Sequence, residues 1–105
     1  GNIPALMNQG IVLLRMDRLH EALTNFDMVL TLRPRTVEAH YNRGVVLNRL
    51  NREEEAIASF DAALDLNPDY SDALTDRGNA LLELGRSEEA LASFDRARRA
   101  KAAQR

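Results

Sequence analysis

Residues 37–70 read VEAHYNRGVVLNRLNREEEAIASFDAALDLNPDY, and the segments on either side are imperfect copies of them. A shift of 34 residues superposes Gly10, Gly44 and Gly78, then Ala22, Ala56 and Ala90, then Phe26, Phe60 and Phe94, and finally Pro34 with Pro68. A repeat of that length marks a stacked array of one supersecondary unit, because a single unit cannot bury its apolar face alone. Three units, about 3–36, 37–70 and 71–104, use nearly all of the 105 residues, so residues 1–105 form one domain with no room for a second. The borders of the chain fall at borders of the repeat, and we expect a fragment of a longer protein.

Within each unit apolar residues recur at helical spacing and alternating β-branched stretches are missing. This predicts six helices, near 3–16, 18–32, 37–50, 52–66, 71–84 and 87–102. The break inside each unit falls at Asp17, Asn51 and Gly85, residue types that tolerate a left-handed backbone. Asn51 followed by Glu54 has the spacing of a capping box for the next helix. Pro34 and Pro68 separate the units, since proline cannot continue a helix.

Gly44 and Ala56 carry little side chain, which lets the two helices of a unit approach closely. We expect Leu47, Leu50, Phe60, Ala63 and Leu64 to fill the core around that contact, with Leu13, Met16, Phe26, Val29 and Leu30 before them and Leu81, Leu84, Phe94 and Ala97 after. Arg43 and Arg77 interrupt a half-buried face, so their stems should lie on the core while their heads pair with Asp27, Asp61 or Asp95, with ligand binding as the alternative role. The last helix carries RARRAKAAQR in place of an apolar stripe and should face water as a polar end to the array.

The chain has no cysteine, which excludes disulfides and thiolate metal sites. A formal charge of -2 and a pI near 5.7 argue against nucleic acid or an anionic membrane as partner. The apolar run IVLL at 11–14 is far too short to span a bilayer, and we expect a soluble, cytoplasmic chain. His20 and His40 lack the spacing of a helical metal pair, and no HExxH, phosphate loop or GxSxG elbow occurs. Glu53, Glu54 and Glu55 sit where a helix dipole favours acids. The expectation is therefore no enzyme, no metal and no cofactor.

Function is better sought on the face left over after packing. At about 100° per residue, Glu38, Tyr41, Asn42, Val45, Asn48 and Arg49 form one stripe opposite Gly44 and Leu47. The matching stripes are Pro4, Met7, Asn8, Ile11, Leu14 and Arg15 before it, and Asp72, Thr75, Asp76, Asn79, Leu82 and Glu83 after it. The first exposes Met7, Ile11 and Leu14, the second is polar, and the third is acidic. We expect a surface graded from apolar to acidic, suited to a ligand with a hydrophobic and a basic end. Covering of Met7, Ile11 and Leu14 by a preceding repeat or a second chain is the alternative, and with it a homo-oligomer through the repeat ends.

The repeated positions resemble the tetratricopeptide repeat family over about residues 3 to 104. Gly10, Gly44 and Gly78 match the family's small residue at its eighth position, the three alanines and three phenylalanines match its later small and aromatic positions, and Pro34 and Pro68 match its proline. Departures are Leu6, His40 and Leu74 where an aromatic is usual, and Gln9, Arg43 and Arg77 where leucine is usual. The resemblance implies an all-α, right-handed solenoid of three helix-turn-helix repeats. It further implies that the three stripes line a concave groove and bind an extended peptide or a partner's helix. Asn8 and Asn42, with Asp76 third, are similar to the asparagine ladder of the O-linked N-acetylglucosamine transferases. The chain would then be a scaffold, or else the substrate-recruiting arm of a larger enzyme such as a glycosyltransferase or methyltransferase. Met7, Tyr41 and Thr75 stand where chaperone-binding members place cations, so a carboxylate clamp is not expected.

Overall fold

In the computed structural model, which describes residues 2–104, every unit turns at one residue with a left-handed backbone: Asp17 at φ 60°, Asn51 at 61° and Gly85 at 75°. These turns and the two prolines divide the chain into α1 (Ile3–Arg15), α2 (Leu19–Leu32), α3 (Val37–Arg49), α4 (Glu53–Leu66), α5 (Ser71–Glu83) and α6 (Ser87–Ala103). The left-handed residue lets the amides beyond it turn back on the helix. The N–H of Asn51 donates to the Asn48 carbonyl (3.0 Å) and that of Arg52 to the Leu47 carbonyl (2.9 Å), a pairing that closes α1 and α5 in the same way.

The capping box expected of Asn51 and Glu54 does not form. Asn51 is occupied in the turn, and the residue preceding α4 is Arg52, whose side chain caps no amide. Instead Arg52 grips Glu55 through two hydrogen bonds, 2.9 Å and 2.6 Å. The same fork joins Arg18 to Glu21 and Arg86 to Glu89. Each fork holds a carboxylate at the positive end of a helix, and the arginine bond draws the Glu55 and Glu89 carboxyls below their ordinary range.

The two helices of a hairpin meet where glycine faces phenylalanine. A Cβ on Gly44 would stand 2.5 Å from Phe60 Cε1, and one on Gly78 would stand 2.6 Å from Phe94 Cε1. Hairpins then stack through α2 on α3 and α4 on α5. α1 also touches α3, and α3 touches α5, whereas among the described residues no such contact joins α2, α4 and α6. The first helices of the units therefore lie closest together and form the inner face of the array.

Arg43 and Arg77 behave as expected at the seams between hairpins. Arg43 Nε donates to Asp27 Oδ1 at 2.6 Å and its Nη1 to Ser59 Oγ at 2.7 Å, while Arg77 Nε donates to Asp61 Oδ1 at 2.6 Å. Asp95, in the last unit, has its carboxylate 3.5 Å from Arg98, while its backbone carbonyl accepts from Arg99 Nε at 3.5 Å. Changing Arg43 to Met should lower stability by about 1 kcal/mol in urea melts, because it leaves Ser59 without this partner while keeping an apolar stem. An unchanged melt would show that the seam pair does not matter.

Three expectations about the core need correction. Met16 is 57% exposed and Leu84 36% exposed. Leu50, at the same register, packs against the cluster that also receives Leu19, whereas among the described residues no preceding unit covers Met16, and Glu53 stands at the register of Leu19 before Leu84. The last helix also keeps an apolar stripe, built of small residues: Ala90, Ala97 and Ala100 are buried, while Arg96, Arg98, Arg99 and Lys101 face water. His40 sits at the rim, its Nε2 2.7 Å from the Pro34 carbonyl.

Candidate functional site on the inner face

The centre of the inner face is built around Tyr41 on α3. Its ring lies between Phe60 (centroids 5.9 Å apart) and Tyr70 (5.1 Å, stacked at 26°). Its hydroxyl donates to Asp76 Oδ2 on α5 at 2.6 Å. Burial and then the Asp76 bond push the Tyr41 hydroxyl far above its ordinary value. Asp76 is also raised, first by burial and further by the charge of Asp72, against the lowering effect of the Tyr41 bond. Tyr70 is raised by burial and then by Glu38, Asp72 and Asp76. Among the described residues Glu38, Asp72 and Asp76 make no ion pair.

Beside this cluster a cavity of about 310 Å³ is lined by Tyr41, Val45, Asn48, Arg49, Phe60 and Asp76. Asn48, one of these lining residues, has its Oδ1 buried without a hydrogen-bond partner among the described residues. Arg49 leans away toward α1, its Nη1 donating to the Leu14 carbonyl at 3.3 Å. Four stripe residues of α3 and one of α5 thus converge on one place.

The flanks of the stripe are looser. Asn8 and Arg15 on α1, Glu38 on α3, and Asp72, Asn79, Leu82 and Glu83 on α5 are exposed, while Asn42 and Thr75 are half-buried. Leu14 is not on the surface: it is 7% exposed, packed with Phe26 and Val46. Met7 and Ile11 rest half-buried against the same cluster, with Val45 beside them. The stripe angle placed Leu14 at the border of inner face and core, and α3 closes over it. Among the described residues the large hydrophobic side chain exposed on the inner face is instead Leu82, at 50%, in the acidic unit. The simple grading from apolar to acidic is thereby corrected. The row of Asn8, Asn42 and Asp76 is broken too, since Asp76 accepts from Tyr41.

Tyr70 and Phe60 belong to the site although neither lies on a stripe. Tyr70 directly precedes α5, where Thr36 precedes α3, so only its type and its place before a helix marked it.

A larger cavity, about 650 Å³, lies off the inner face between α1 and α2 and is lined by Leu6, Gln9, Met28 and Leu32 among others. The equivalent ground in the third unit, between Leu74 and Ala100, is walled by Pro68 and Asp69 of the preceding turn. Among the described residues no three His, Cys, Asp or Glu side chains are grouped to hold a metal ion. No described helix is long and apolar enough to cross a membrane.

A family model described as tetratricopeptide repeat matches residues 7–71 and 54–104. The crystal structure of MamA superposes with a TM-score of 0.93 at 19% identity, over 98% of this chain and 60% of that one. A second MamA structure (MSR-1) gives 0.91 at 26% identity, over 99% and 60%. The chain thus spans 60% of the length of these MamA chains. The first TPR of Spaghetti (RPAP3), bound to the HSP90 peptide SRMEEVD, gives 0.92 at 23% identity, over 95% and 79%. No curated protein sequence matches the chain.

Proposed function

Because the chain belongs to the tetratricopeptide repeat family, we propose that it is a protein-interaction module that holds an extended peptide or a partner's helix along the inner face of α1, α3 and α5. The observation that carries this reading is the cavity at the centre of that face, lined by Asn48, whose Oδ1 has no hydrogen-bond partner among the described residues, and by Asp76, whose carboxylate pairs with no cation among them. A folded chain leaves few such groups, because a buried polar atom without a hydrogen bond is costly. The RPAP3 repeat adds the precedent of this fold holding a peptide. Its peptide SRMEEVD is acidic, however, and Glu38, Asp72 and Asp76 would repel such a ligand here. The partner segment is basic.

Self-association through the ends fits less well. Val12, Met16, Met28 and Leu32 are exposed in the first unit. A second copy stacked in register would bring Arg98 to the place held by Leu30 and Leu64, and would set Gln9 against Asp95 where the inner seams have arginine.

The test compares three chains in capture and titration: the native one, an inner-face variant with Asn8, Asn42 and Asn79 changed to Ala, and an outward variant with Val12 and Met16 changed to Ser. A partner held by the native and outward chains should lose at least about tenfold in affinity for the inner-face variant at unchanged melting temperature. Equal affinity for the inner-face variant would overturn the groove.

A further inference from the structure

We propose that the cavity between α3 and α5 is a subsite for the guanidinium group of an arginine side chain carried by the partner. The proposal rests on the inner face being the binding surface and goes beyond it by naming the residue that is read.

The cavity's walls suit that side chain part by part. The half-buried Val45 and the Tyr41 ring offer apolar ground for the methylene stem, and about 310 Å³ accommodates one long side chain. Two lining residues bring acceptors from different helices: Asn48, whose Oδ1 is buried and has no partner among the described residues, and Asp76, whose carboxylate takes one hydrogen bond from Tyr41. A guanidinium has five N–H donors in a planar fork and can reach two acceptors at once, whereas an ammonium is a point charge on a flexible stem. A neutral amide would satisfy Asn48 and leave the carboxylate uncompensated.

Charge favours the same ligand. Asp76 is held in place by Tyr41, which Tyr70 and Phe60 brace. Asp72 and Glu38 add negative field from α5 and α3. The opposing cation is Arg49, exposed at the rim and bonded to the Leu14 carbonyl, and the three carboxylates outnumber it.

The experiment selects random peptides displayed against the 105-residue chain and resynthesises the best with citrulline, a neutral near-isostere, in place of each arginine. One arginine should prove critical: its replacement lowers affinity at least about tenfold on the native chain and less than about threefold on Asp76→Asn. Asp76→Asn keeps an oxygen that can accept from the Tyr41 hydroxyl, and a melting temperature within a few degrees of the native chain's shows that its loss of discrimination is not unfolding. Peptides that need Asn8, Asn42 and Asn79 but tolerate citrulline overturn the subsite and leave the groove standing. Undiminished discrimination by Asp76→Asn overturns the assignment to this cavity. If no selected peptide depends on the inner-face asparagines, the groove fails and the subsite fails with it.

Discussion

Alanine at Phe60 is expected to lower the stability of the chain by about 3–5 kcal/mol, a large share of the roughly 5–15 kcal/mol available to a small domain. Phe60 is fully buried in the middle unit and shares one cluster with Leu47, Ala56, Leu64, Ala73 and Leu74. Its removal opens a cavity where the second and third hairpins meet, and a repeat array holds together through such nearest-neighbour contacts. The partner substitution tests the same contact from the other side. Alanine is a better helix former than glycine by about 1 kcal/mol, so Gly44→Ala should stabilise α3 if propensity decides. A Cβ at Gly44 would stand 2.5 Å from Phe60 Cε1, however, and the buried ring has nowhere to move. Overpacking of that kind costs about 1–3 kcal/mol, so the sum is a net loss. With Phe60 changed to Leu the clash is relieved, and Gly44→Ala should become neutral or favourable by up to about 1 kcal/mol. Urea midpoints of the four chains of this cycle give the coupling directly. A stabilising Gly44→Ala in the native background would show that the glycine is not a packing requirement.

That contact also explains why the fold was legible. Gly44, Ala56 and Phe60 recur in all three units because stacking demands them, Pro68 repeats Pro34 although Ala102 stands at the third place, and Asp17, Asn51 and Gly85 announced their turns by residue type. The Arg18, Arg52 and Arg86 forks repeat just as strictly, yet a competing signal one residue earlier, Asn51 with Glu54, has the spacing of a different cap. Propensity alone does not decide between them, since Asn51 serves equally in a left-handed turn or as a cap.

The inner face was legible only as a direction. Helical spacing puts Tyr41, Val45, Asn48 and Arg49 on one side of α3, and they do line one cavity. Spacing says nothing about how far a neighbouring helix reaches, which is why Leu14 reads as surface and proves buried. Nor does it pair residues between units. Tyr41 bonds Asp76, which aligns with Asn42 rather than with Tyr41 itself, so the meeting depends on the offset of α5 against α3.

That bond supports the second large effect, which depends on pH. Tyr41→Phe keeps the ring between Phe60 and Tyr70 but removes the donor to Asp76, a partly buried carboxylate. Leaving such an acceptor unsatisfied costs about 1–3 kcal/mol near neutral pH. The Asp76 carboxyl is raised above 3.8 in the folded chain despite the Tyr41 bond, which lowers it. Its contribution is therefore fully present below 3.8 and lost as pH rises through the folded value. Removing the bond raises the folded value further, so the variant loses more over the same climb. The deficit of Tyr41→Phe should be smallest below 3.8, grow through the range just above it, and level off by neutral pH. Taking native minus variant at each pH cancels the opposite trend of Glu55 and Glu89, whose lowered carboxyls lose their partners in acid. In an Asp76→Asn background the difference should become flat. A deficit that grows toward acid would mean that the Tyr41 hydroxyl stabilises the neutral carboxyl, and that the centre of the inner face is not held as a charged acceptor.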